Sequence, residues 1–130
     1  MRTELAVNGT LMRGLELNQN LLELGGVFME EALTAPLYRL WSINDQYPAM
    51  QRCSKGGQIL LEIWSMEPSS IGELLKREPA GLSVGKILLA NDREVLGILG
   101  ESYLCEGKQE ITDFGGWRKY TAYLSRAANL

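Results

Sequence analysis

The chain has 130 residues, 45% apolar, 22% charged and 8% aromatic. That is the make-up of one compact domain, residues 1–130, able to bury a core without a disulfide or a metal. Its 13 basic and 16 acidic side chains leave a net charge of −3 with no basic block, which argues against a nucleic-acid partner or an anionic membrane surface. Histidine is absent, which excludes Ser-His-Asp and Cys-His nucleophilic sites, histidine-built zinc sites and a histidine general base.

Leu5 to Val7 reads as a short strand stopped by Asn8 and Gly9. Leu17, Leu21 and Leu24 fall at helical spacing, so 17–24 reads as a brief amphipathic helix ended by Gly25 and Gly26. Val27–Leu33 and Tyr38–Ile43 are rich in β-formers and flank a turn at Pro36, so both read as strands. The polar stretch from Asn44 to Gly57, with Asp45, Pro48, Ser54 and a glycine pair, reads as a long loop. Gln58–Ser65 alternates Ile59, Leu61 and Ile63 with Leu60, Glu62 and Trp64, as a strand with unlike faces does. Ser70 with Glu73 suggests a capping box opening a helix that must end before Pro79. Val84–Leu89 and Glu94–Leu99 flank Ala-Asn-Asp-Arg as in a hairpin. Gly115 and Gly116 precede a last helix whose Trp117, Tyr120 and Leu124 share a face. About six strands and three short helices predict an α+β domain, a mixed sheet or small barrel carrying helices.

Candidate chemistry follows from residue types. Asn8, Gly9, Thr10 and Leu11 come directly after the first strand, where a glycine lets successive amides turn toward one point and hold a carboxylate; the same residues would also make an ordinary strand-ending turn. Glu78 lies at a chain reversal before Pro79. In a partly dry pocket it would serve as a general acid or base, and otherwise it is a solvated helix-end carboxylate beside Lys76 and Arg77. Arg39, beside Tyr38, and Arg118, beside Trp117, are candidate forks for a carboxylate ligand. Glu30 and Glu31 are strand neighbours with opposite orientations and make no acid/base pair. Gly81, Gly85 and Lys86 lack the spacing, hydroxyl and helix of a phosphate loop. Cys53 and Cys105 stand apart and form no CxxC pair. With no signal-like or membrane-length apolar run, a cytoplasmic setting with reduced thiols is expected, although a disulfide is open in principle. No metal and no organic cofactor are indicated.

Four segments, LAVNGTLMRG, ELNQNL, TAPLYRLW from Thr34 and DFGGWRKY from Asp113, together resemble the C-terminal domain of allophanate hydrolase over nearly the whole chain. The resemblance implies the γ-glutamylcyclotransferase-like fold, a small mixed β-barrel with a few short helices. It also implies a metal-independent, amidase-related domain in urea or allophanate nitrogen metabolism, where the family's suggested activity is decarboxylation of N-carboxycarbamate. The family commonly shows a histidine where this chain has Gln19. NGTLMRG is also similar to the YGTL-type substrate loop of γ-glutamylcyclotransferases, with Asn8 in place of the tyrosine, and Glu78 lies near the position of their acid/base glutamate. Three readings follow. One is a domain that binds a small carboxylate or amide through Asn8, Gly9, Thr10 and Leu11, helped by Tyr38, Arg39 and Arg118. Another is a cyclotransferase-type lyase using Glu78. The third is a non-catalytic module serving a separate amidase or its own homodimer. Without the family's amidase machinery, the chain is not expected to hydrolyse allophanate by itself.

Overall fold

A computed structural model describes residues 1–129. Eight strands and a few short helices are arranged as β1 (Thr3–Val7), α1 (Asn18–Glu23), β2 (Val27–Leu33), β3 (Tyr38–Ile43), β4 (Tyr47–Arg52), β5 (Leu60–Met66), α2 (Pro68–Arg77), β6 (Leu82–Leu88), β7 (Glu94–Gly100), α3 (Ser102–Cys105), β8 (Gln109–Glu110), one 3-10 turn (Thr112–Phe114) and α4 (Trp117–Ala128). The α+β class expected from the pattern is the class observed. The strands divide into a five-stranded sheet ordered β2-β5-β1-β7-β6 and a three-stranded sheet ordered β4-β3-β8, rather than closing into one ring. β1 runs antiparallel to β5 and parallel to β7 at the middle of the larger sheet. Its Leu5, Ala6 and Val7 are fully buried because both faces are covered. The core gathers around Trp64, Tyr38, Tyr120, Leu40, Met50 and Leu61.

Three details differ from the sequence reading. The stretch 44–57 is no loop throughout, since β4 runs through it and pairs with β3 from Tyr38↔Arg52 to Ile43↔Tyr47. Asn44 and Asp45 take left-handed backbone angles, φ 56° and 59°, which are the angles a tight hairpin turn demands. Pro48 is tolerated because β4 is the outer strand of its sheet, where a missing N–H breaks no ladder. Second, β5 has no wet face: Glu62 and Trp64 are as buried as Leu61 and Ile63, with exposures of 1% and 2%. Third, α2 opens at Pro68 with Glu67 as its cap residue, so Ser70 lies inside the helix and makes no capping box. The predicted ends are met where the chain is punctuated strongly, as at Gly25, whose φ of 79° stops α1.

Candidate functional site

β1 delivers the chain into a bend, Asn8 to Arg13, at the end of the larger sheet. Asn8 is buried and its side-chain amide donates to the Ile98 carbonyl on β7 at 3.0 Å, which fixes the start of the bend. The next three carbonyls are all engaged. Gly9 O accepts from Met12 N–H at 3.0 Å, Thr10 O from Leu17 N–H at 3.0 Å and Leu11 O from the Asn18 side chain at 2.8 Å. Because peptide units are planar, pinning these carbonyls also fixes where the neighbouring N–H groups point. Among the described residues, the N–H groups of Gly9, Thr10 and Leu11 donate to no protein acceptor. Adjacent free amides in a tight bend form a concave set of donors suited to an anion.

The far end of the bend is clamped by a buried carboxylate. Glu62 on β5 accepts from the Arg13 main-chain N–H at 2.9 Å, Arg13 Nε at 3.1 Å, Trp64 Nε1 at 3.1 Å and Arg118 Nη2 at 3.1 Å. Arg118 also donates to the Arg13 carbonyl at 2.6 Å. Burial opposes the charge on Glu62, but these donors outweigh it and hold the carboxyl below its usual range. The bend is thus tied to β7 at one end and to β5 and α4 at the other.

Beside the bend lies a small hollow open to solvent, with about 20 Å³ accessible to the centre of a water molecule, bordered by Val7 through Leu11, Tyr47, Pro48, Glu78, Leu82 and Ile98. Glu78 enters it for a local reason. A residue before proline is pushed into extended geometry, and Glu78, at φ −83° and ψ 155° ahead of Pro79, leaves the line of α2 there. Its cationic neighbours turn elsewhere, Lys76 to Glu73 and Arg77 to Glu23 and Asn20. Burial raises the Glu78 carboxyl to about 7. Tyr47 faces the same space, and its phenol is pushed up by burial first and then by the fields of Tyr103 and Glu78. The wall carrying Tyr47 and Pro48 is anchored through the turn before it. Asp45 accepts from Ser42 Oγ at 2.6 Å and from the hydroxyl of Tyr120 on α4.

The matching of known proteins agrees with this architecture. The sequence profile of the allophanate hydrolase C-terminal domain matches residues 3–122. The chain belongs to that family. A urea amidolyase from Lachancea kluyveri is 28% identical over 131 residues; the alignment covers 95% of this chain and only 7% of that enzyme. A solved Kluyveromyces lactis allophanate hydrolase superposes with a TM-score of 0.89 at 25% identity, covering 95% of this chain and 22% of that one. A crystallised protein described as specific to uropathogenic E. coli is 54% identical with a TM-score of 0.92, and the match covers 94% of this chain and 97% of that one. A γ-glutamyl cyclotransferase shares the fold at 12% identity, TM-score 0.55, over 85% of this chain and 70% of that one.

In this allophanate hydrolase C-terminal domain, Asn8, Gly9, Thr10, Leu11 and Glu78 border one hollow, whereas Tyr38, Arg39 and Arg118 do not join them. Tyr38 is fully buried, and its hydroxyl accepts from the Leu88 N–H at 2.9 Å. Arg39 grips Glu110 with two nitrogens and lies over the Trp41 ring, on the smaller sheet. Arg118 is committed to Glu62. Both arginines are carboxylate forks, but the carboxylates are the protein's own. Gln19 is exposed on α1 and is outside the hollow. Tyr47 was hidden from sequence reading inside the supposed loop; the signal that exposes it is the Asn-Asp turn pair that makes its neighbours a hairpin. No helix among the described residues is long and apolar enough to cross a membrane.

Proposed function

We propose that this domain binds a small carboxylate in the hollow, with the amides of Gly9, Thr10 and Leu11 holding the carboxylate and Glu78 carrying a proton, and that it serves urea, allophanate or related amide nitrogen metabolism. One observation carries the reading: three free main-chain donors and an unpaired, half-buried carboxyl border the same hollow. The hollow is small, with about 20 Å³ open to the centre of a water molecule, which limits it to a ligand of few atoms. The family membership supports the proposed metabolic setting. If the substrate is N-carboxycarbamate, the bond between nitrogen and one carboxylate breaks and CO2 leaves. The electron pair then stays on nitrogen, which takes the proton from the Glu78 carboxyl; the Glu78 carboxylate is re-protonated from water.

The test couples the purified chain to a separate amidase that produces N-carboxycarbamate from allophanate. CO2 release should accelerate with the wild-type chain and not with Glu78→Gln, while both proteins gain thermal stability from small carboxylates. A chain whose melting point no small carboxylate or γ-glutamyl compound raises would end the proposal. Formation of 5-oxoproline from γ-glutamyl compounds would reassign the same residues to cyclotransfer. A partnership with a separate amidase is favoured by the relatives, in which this domain forms 22% of an allophanate hydrolase chain and 7% of a urea amidolyase. Co-purification with an amidase is its direct measurement.

A further inference from the structure

The ten residues bordering the hollow include Glu78 and no lysine or arginine. A carboxylate entering it therefore meets main-chain N–H groups, whose donors are only partial charges, and a carboxyl group of its own kind. Each element packed around Glu78 gives the same result. The β4 side presents the phenol of Tyr47, which also feels the field of Tyr103 on α3, while Leu82 and Ile98 close the β6 and β7 sides. On α2, Lys76 and Arg77 are paired with Glu73 and Glu23. Among the described residues, no cation borders the space to neutralise two anions held together.

Resting on the binding site proposed above, we propose that the hollow takes a carboxylate only together with a proton on Glu78, so that binding consumes a proton. Two carboxylates sharing one hollow where burial already penalises charge and no cation sits between them resist joint ionisation, so the one that is part of the protein takes up the proton. The protonated carboxyl then changes from a repelling charge into a hydrogen-bond donor. The raised affinity of Glu78 for protons keeps this cheap near neutrality, since the group is already about half protonated there.

The experiment is titration calorimetry of the intact chain with oxamate and malonamate, two singly charged carboxylates bearing an amide, in two buffers of different ionisation enthalpy from pH 6 to pH 9. Wild-type protein should take up about half a proton per ligand at pH 7, and its affinity should fall about fivefold from pH 7 to pH 8 and about tenfold more by pH 9. Glu78→Gln should bind without proton uptake and with affinity flat across that range. Binding of the probes to wild type with no buffer dependence and no pH dependence overturns this inference and leaves the site standing. Proton uptake that persists in Glu78→Gln does the same. Absence of binding to both proteins at every pH overturns the site and the inference together.

Discussion

Gly9→Ala is the substitution whose effect is set most directly by the geometry of the bend. A Cβ on Gly9 would stand 2.5 Å from Pro48 Cδ and 2.7 Å from Pro48 Cγ. Carbon atoms in contact prefer about 3.5–4.0 Å, so one wall must retreat by about 1 Å. The proline ring cannot rotate away, and its strand is held through Asp45 to Ser42 and Tyr120, so the bend must move instead. Overpacking of this kind costs about 1–3 kcal/mol, and the smaller entropy of the unfolded Ala chain returns about 0.4–1 kcal/mol of it. A net destabilisation of about 1–2 kcal/mol is expected from urea unfolding. The displaced amides should also bind oxamate about tenfold more weakly, because hydrogen-bond strength falls steeply with misalignment. The decisive measurement is a double-mutant cycle with Pro48→Ala. In the Pro48→Ala background the added methyl finds room, so Gly9→Ala becomes neutral or slightly stabilising, and the coupling should reach about 1.5–3 kcal/mol. Additive effects within about 0.5 kcal/mol would refute the claim that Pro48 is what excludes a side chain at position 9.

Glu62→Gln removes the acceptor shared by Arg13, Trp64 and Arg118 and should cost about 2–3 kcal/mol in urea unfolding, with the bend loosened and oxamate affinity reduced. Because the Glu62 carboxyl is held below its ordinary range in the folded protein, its contribution is present at neutral pH and disappears as pH falls through that lowered value. Glu78 acts in the opposite sense. Its folded carboxyl at about 7 lies above the unfolded 4.5, so the native state binds more protons between these values and stability declines as pH rises through them. Glu78→Gln should flatten that decline in melting temperature between pH 5 and pH 8, and an unchanged slope would contradict the burial of this carboxyl. Tyr47→Phe should leave stability within about 0.5 kcal/mol yet alter CO2 release in the coupled amidase assay, because its phenol borders the hollow. Arg39→Lys, far from the bend and gripping Glu110 at a partly exposed site, should cost no more than about 1 kcal/mol and leave oxamate affinity within twofold.

What could be read from the residues and what could not divides by the range of the interaction. Strand starts and stops depend on neighbours a few positions away, so Asn8 and Gly9 ending β1, Gly25 ending α1 and Pro79 following α2 were legible. β4 is not legible locally because Pro48 reads as a breaker, whereas its tolerance depends on β4 lying at the margin of a sheet, a fact of tertiary arrangement. The same limit governs the charged groups. That Arg39 and Arg118 would clasp carboxylates follows from guanidinium geometry, but the carboxylates they clasp lie 71 and 56 positions away along the chain. Local chemistry predicts the type of partner and leaves its identity to the fold.

Those internal pairings also explain why the hollow is poor in positive charge. Arg13 and Arg118 are spent on Glu62, Arg39 on Glu110 and Arg77 on Glu23, and each pairing fixes a segment in place rather than leaving a guanidinium free for a ligand. The clamp on Arg13 holds the bend while supplying no charge to it. The proposed site would rely on fixed amides for orientation and on one adjustable proton for charge balance. An arginine at the same place would bind a carboxylate more tightly at every pH, but it would also hold Glu78 ionised and so remove the proton that the proposed carbamate breakdown requires. The absence of a cation from the border of the hollow and the elevation of the Glu78 carboxyl are therefore one feature, and a Leu82→Arg substitution separates the two accounts of it. If the proton matters, that variant should bind oxamate more tightly, lose the proton uptake and fail to accelerate CO2 release. If it does not matter, tighter binding should come with undiminished activity.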